Sequence, residues 1–147
     1  KHNDTIEAKG NLFSFLNTDK WRPLSDKVRN EPNKEARSAL KKNLSCCTPS
    51  GLFNERNKGG LIKHSGFICV DIDGQDNPTI NDWQGFVEEL GHLKEVLFAG
   101  LSVSGGGAFC LIPINDPKKH EEHFRAIEED FTRYGIIIDH AFLLCKT

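Results

Sequence analysis

Asp71 and Asp73 end an apolar run, FICVDIDG, and a third aspartate, Asp139, ends another, IIIDH. A buried strand has no use for terminal charges, because desolvating a carboxylate costs more than one strand offsets. Residues two apart on a strand point to the same face, so Asp71 and Asp73 are held close together. Such a pair repels unless a cation lies between its members. Hard oxygen donors with no accompanying His or Cys select Mg²⁺ or Mn²⁺. With Asp139 added, the set suits two ions about 3.5–4 Å apart, which stabilise the attacking and leaving oxygens of phosphoryl transfer. Acidic strand ends also occur at ordinary turns, so the pair acquires meaning only if Asp139 meets it. A second candidate is SVSGGGAF, residues 102–109. Its consecutive glycines bring backbone N–H groups close to a ligand and Ser104 adds a hydroxyl, a concavity suited to phosphate. It is not a Walker loop, since no Lys-Ser/Thr follows and a strand comes after. HEEHF (120–124) lacks the i,i+4 histidine spacing of the metalloprotease helix and reads as a solvated face. His64 and His140 flank the acidic residues, and Trp21 and Trp83 read as core.

Positioning these residues requires an ordered set of elements. FICVDID (67–73) has the composition of a strand. Trp83, Phe86, Val87 and Leu90 recur at helical spacing over 81–90, with Gly91 as a stop. VLFAGLSV (96–103) and AFCLIPI (108–114) are strands joined at the glycine turn. Residues 117–134 form an amphipathic helix that buries Phe124, Ile127, Phe131 and Tyr134 and ends at Gly135. IIIDHAFLL (136–144) is a final strand. The order β-α-β-β-α-β predicts an α+β fold with a ferredoxin-like or RRM-like split βαβ core and an N-terminal α/β extension. In that topology the first strand is flanked by the third and the fourth. Asp71, Asp73, Asp139 and the glycine turn then converge at one sheet edge. Upstream, NLFSFL (11–16) alternates like a strand, 34–44 has helical periodicity, and TPSGLF and GLIKHSG form extended arms around NERNKG.

The 147 residues suffice for one domain with a genuine core, read as a basic segment over 1–65 and a metal-binding core over 66–147. The net charge of −2 conceals an asymmetry, a local balance of +7 between Lys20 and Lys63 against −9 elsewhere. A basic lobe beside an acidic one suits a polyanion on one side and metal ions on the other. No apolar run approaches the roughly 20 residues of a membrane span. Five cysteines without a CxxC pair indicate reduced, buried thiols and a cytoplasmic setting.

Taken together, VDIDG (70–74), SGGGAF (104–109) and IIIDH (136–140) resemble, in order and spacing, the motifs of the archaeo-eukaryotic primase superfamily. Residues 36–74 are also similar to the N-terminal, primase-polymerase-like domain of VirE-type proteins of mobile elements and phages. The resemblance implies a primase-type nucleotidyltransferase in which Asp71, Asp73 and Asp139 ligate Mg²⁺ or Mn²⁺. Ser104, Gly105 and Gly107 would line the triphosphate, and Arg37, Lys41 and Arg56 would contact triphosphate or DNA template. It further implies excision from a longer protein carrying a helicase-type ATPase domain. Phe109 stands where many relatives of that kind carry a histidine, and a phenyl ring cannot hydrogen-bond a phosphate. The alternatives are a nucleic-acid-binding module of the same fold or another metal-dependent phosphotransfer enzyme.

Overall fold

The computed structural model describes residues 11–54 and 60–140, an α+β chain that divides between Cys47 and Thr48 into two compact units. The first unit is helical. Asn11 caps α1 (Leu12–Leu16), its Oδ1 accepting from the N–H groups of Phe13 (2.9 Å) and Ser14 (3.3 Å). Five residues of LFSFL fit either periodicity, and a cap that satisfies two orphan donors decides for helix; the strand expected over 11–16 is not formed. A 3₁₀ turn over Asp19–Trp21 leads into α2 (Arg22–Asn30), which carries a proline in its first turn, where no N–H is missed. Asn33 then caps α3 (Lys34–Lys41) by accepting from Ala36 N–H at 2.8 Å.

The second unit begins with an antiparallel hairpin of β1 (Gly51–Phe53) and β2 (Leu61–His64). The hairpin thus belongs with the sheet-bearing unit, whereas the sequence reading grouped it with the basic segment. Next come β3 (Phe67–Asp73), α4 (Trp83–His92), β4 (Phe98–Leu101), β5 (Gly107–Pro113) and α5 (His120–Arg133). The sheet order is β3-β5-β4, antiparallel throughout. Alternate residues Ile68, Val70 and Ile72 of β3 and Ala108, Cys110 and Ile112 of β5 enter one core cluster with Leu90 of α4 and Phe124 and Phe131 of α5. Full burial of a side chain such as Ile68 or Phe124 contributes about 1.5–3 kcal/mol.

Several expectations need correcting. α4 runs through Gly91 to His92, because nothing at Gly91 demands a left-handed backbone. Tyr134 is 83% exposed rather than buried, since the helix has already ended at Arg133. Of the described cysteines, Cys69 and Cys110 are buried but Cys46 is exposed. The final strand expected over 136–144 is not a strand across 136–140, and 141–144 lie outside the described residues. Among the described residues no helix is long and apolar enough to cross a membrane.

The end of α5 explains where that last segment goes. Gly135 adopts φ 74°, donating to Thr132 O at 2.9 Å, while Ile136 N–H donates to Phe131 O at 3.0 Å. This is a Schellman motif, which needs a residue free of Cβ strain at its left-handed position. It turns the chain back toward the outer edge of β3.

Candidate functional site

β3 carries two of the three aspartates in registered positions, Asp71 opposite Phe109 and Asp73 opposite Gly107 on β5. Because Ile68, Val70 and Ile72 face the helices, Asp71 and Asp73 lie on the other face of the sheet. Asp71 is half-buried and Asp73 exposed. Asp139 reaches the same edge by a backbone bond, its N–H donating to Asp71 O at 2.9 Å. Ile138 is buried in the core cluster while Ile137 is 57% exposed, so Asp139 also emerges on the side away from the helices. Main chain therefore brings all three acidic residues to one rim. Among the described residues, however, no three such side chains stand close enough together to form a metal-ligand group as they are arranged.

A residue passed over in the sequence reading organises this rim. Asn77 is 3% exposed, and its side chain makes three hydrogen bonds. Nδ2 donates to Asp73 O (2.9 Å) and to Ile137 O (2.8 Å), and Oδ1 accepts from Ile137 N–H (2.8 Å). One amide thus ties the exit of β3 to the segment bearing Asp139, in the manner of a missing ladder rung. The sequence signal was a lone Asn in a turn-rich DGQDNP, where turn formation is the ordinary role. Asp73 itself forms such a turn, its Oδ1 accepting from Gln75 N–H at 2.9 Å.

The glycine turn sits against the same strand end. Gly74 N–H donates to Gly106 O at 3.1 Å and Ser102 N–H to Gly107 O at 2.9 Å. A Cβ on Gly74 would stand 2.4 Å from Gly106 O, and one on Gly107 would stand 2.8 Å from Ile72 O. Two of these glycines therefore permit backbone to lie on backbone. Gly105, at φ 78°, uses its N–H within the turn, donating to Ser102 O at 2.9 Å. The expected phosphate cradle thus differs in detail: Gly105 and Gly107 shape the turn, and Ser104, with its hydroxyl 3.5 Å from Ser102 Oγ, is the polar side chain at its tip.

Arg37 folds onto its own unit, Nε donating to Glu31 O (3.0 Å) and a terminal nitrogen to Pro32 O (3.2 Å). It caps local backbone rather than presenting a free fork. Lys41 is exposed in the last turn of α3, and Arg56 lies outside the described residues. His140 pairs with Glu128 of α5 at 2.6 Å. His64 Nδ1 accepts from Gly66 N–H at 2.9 Å, which places its proton on Nε2, 2.9 Å from Nδ1 of His120. Burial lowers the His64 pKa below its ordinary value. Trp83 packs beside the core cluster, and Trp21 lies under the Lys20 ammonium, 4.9 Å from its ring centre.

Fold and site together define an α+β domain that gathers acidic residues from two distant segments at the rim of a small antiparallel sheet. Residues 39–145 match the family described as BT4734-like, N-terminal domain, and the chain belongs to that family. This corrects the resemblance drawn from three short motifs, because no primase or VirE family matches. Motifs of five or six residues, built on glycine turns and acidic strand ends, carry less information than a match over residues 39–145. No curated protein and no solved structure matches the chain.

Proposed function

We propose that this chain is a divalent-metal-dependent nucleotidyltransferase domain that joins nucleotides on a DNA template. The observation that carries the reading is the Asp139 N–H to Asp71 O hydrogen bond of 2.9 Å, which brings a third acidic residue to the strand edge that bears the same-face pair. The donor chemistry fits hard cations: three aspartates from two segments, with no thiolate or imidazole between them. Asp71, Asp73 and Asp139 would hold Mg²⁺ or Mn²⁺, which when bound supplies charge neutralisation at phosphate oxygens. Ser104, at the tip of a turn bonded to Gly74, would donate its hydroxyl to a phosphate. Lys41 and Arg56 would supply basic contacts to nucleic acid. In this reading residues 136–140, held alongside β3 by the Asp139 N–H and by Asn77, take the place of the fourth strand of a split βαβ core.

A second reading, a nucleic-acid-binding module without chemistry, draws support from the absence of a preformed ligand group among the described residues. The test is templated incorporation of labelled nucleotide with Mn²⁺ or Mg²⁺, comparing the native chain with Asp71→Ala and Asp139→Ala. Incorporation by the native chain that both substitutions abolish supports the proposal. Incorporation untouched by either removes the site, and DNA binding without any incorporation establishes the module instead.

A further inference from the structure

The face of the sheet that bears Asp71 and Asp73 changes character along its length. At one end Cys69 and Leu111 are closed to solvent, at 4% and 0% exposure. Phe109, in the row of Asp71, and Phe98, one row back opposite Leu111, are each partly covered. Phe109 is registered opposite Asp71 on one side and opposite Gly100 on the other. The rings of Phe98 and Phe109 lie 5.8 Å apart at 32°. A Cβ on Gly100 would stand 3.0 Å from Phe109 Cε1 and 3.2 Å from Phe98 Cε1. Both rings therefore reach over the glycine, and each keeps part of its surface open, Phe109 in the row of Asp71.

We propose that Phe109, backed by Phe98 and the bare backbone of Gly100, is a stacking platform for a nucleobase. The occupant is selected by two neighbouring chemistries. A flat π-face accepts any base, and stacking is tolerant of its identity. The carboxylates one strand away repel anions unless cations intervene, and they repel an acidic or plainly apolar peptide alike by the desolvation they would suffer. A ligand that presents an aromatic ring to Phe109 and phosphate to cation-bearing carboxylates is a nucleotide, free or within a strand. The proposal deepens the nucleotidyl-transfer reading and rests on it for the choice of base.

The experiment is fluorescence anisotropy with the full chain and two labelled single-stranded deoxyoligonucleotides of equal length, one with bases and one abasic at its central positions. Both arms contain Mn²⁺, so that the carboxylates can accept phosphate, and the second arm titrates labelled deoxythymidine triphosphate. The native chain should bind the base-bearing strand, the triphosphate or both, with Phe109→Leu weakening that binding about tenfold and Phe109→Trp restoring it. Loss confined to the oligonucleotide arm, where the abasic strand is unaffected, assigns the platform to a strand base. Loss confined to the triphosphate arm assigns it to the incoming nucleotide. Equal affinity of native chain and Phe109→Leu in both arms, with unchanged circular dichroism, overturns the platform. That outcome is separate from failure of the nucleotidyl-transfer reading, which Asp71→Ala and Asp139→Ala decide by incorporation: base-dependent binding without incorporation keeps the platform and removes the chemistry.

Discussion

Replacing Asn77 by alanine should release the Asp139 segment from the sheet while leaving the sheet itself folded. The substitution removes all three side-chain hydrogen bonds of Asn77. Asp73 O keeps a partner, the Asp76 N–H at 3.2 Å, so its loss is mild. The N–H and C=O of Ile137 both lose theirs, but Ile137 is 57% exposed and water can replace part of what is lost. A net contribution of about 0.5–1.5 kcal/mol per bond, lowered for the two groups that rehydrate, gives a destabilisation of about 1–3 kcal/mol. Urea unfolding measures that sum. Amide hydrogen exchange reads the local effect, because the Asp139 N–H, bonded to Asp71 O, should lose protection that the core amides of β3 and β5 retain. Asn77→Asp discriminates further. A carboxylate keeps an acceptor for Ile137 N–H but sets its charge against the carbonyls of Asp73 and Ile137. Its folded pKa should rise above the unfolded value, so its penalty is small in acid and grows as pH rises through that range. A change below about 0.5 kcal/mol for Asn77→Ala, with Asp139 exchange unaltered, would refute the role assigned to this amide.

Three further outcomes are expected. Gly107→Ala should cost about 1–3 kcal/mol in urea unfolding, since its Cβ would meet Ile72 O at 2.8 Å, whereas Gly106→Ala, with open space around it, should be tolerated. His64 is neutral in the folded chain with a lowered pKa, so its contribution is complete above the ordinary value of about 6.5 and falls as pH drops through it, because only the unfolded chain then takes the proton. Stability measured at pH 7.5 and 5.5 should show that fall, and His64→Gln should flatten it. Iodoacetamide at pH 8 should label exposed Cys46 in the native chain but not Cys110, whose thiol burial pushes up to about 12, until denaturant is added. Mass spectrometry of the digested chain reports both.

The parts of the fold that were legible in the sequence are those where one face is apolar over a whole element. FICVDID, AFCLIPI and the Phe124–Ile127–Phe131 stripe announce themselves by period, and antiparallel register then places Asp71 and Asp73 beside the glycine turn. The approach of Asp139 to Asp71 followed from chain topology rather than from any local signal. What escaped was decided by single side chains. Asn11 converts LFSFL from an apparent strand to a helix by capping two donors. Asn77 substitutes a side-chain amide for strand pairing, so residues expected in a regular strand over 136–140 lie alongside β3 without forming one. Backbone packing between Gly74, Gly106 and Gly107 also leaves no trace in composition. The short motifs likewise suggested a kinship that the match over 39–145 replaced.

The clasp between Asn77 and Ile137 joins residues 60 positions apart, so the acidic corner depends on a segment made after the sheet and its first crossover. Sheet and first crossover close over shorter loops; the acidic corner shuts only once α5 has been made and turned back at Gly135. Until that moment Asp71 and Asp73 face water as ordinary surface charges. The third acidic residue thus joins the rim only through the segment that follows α5.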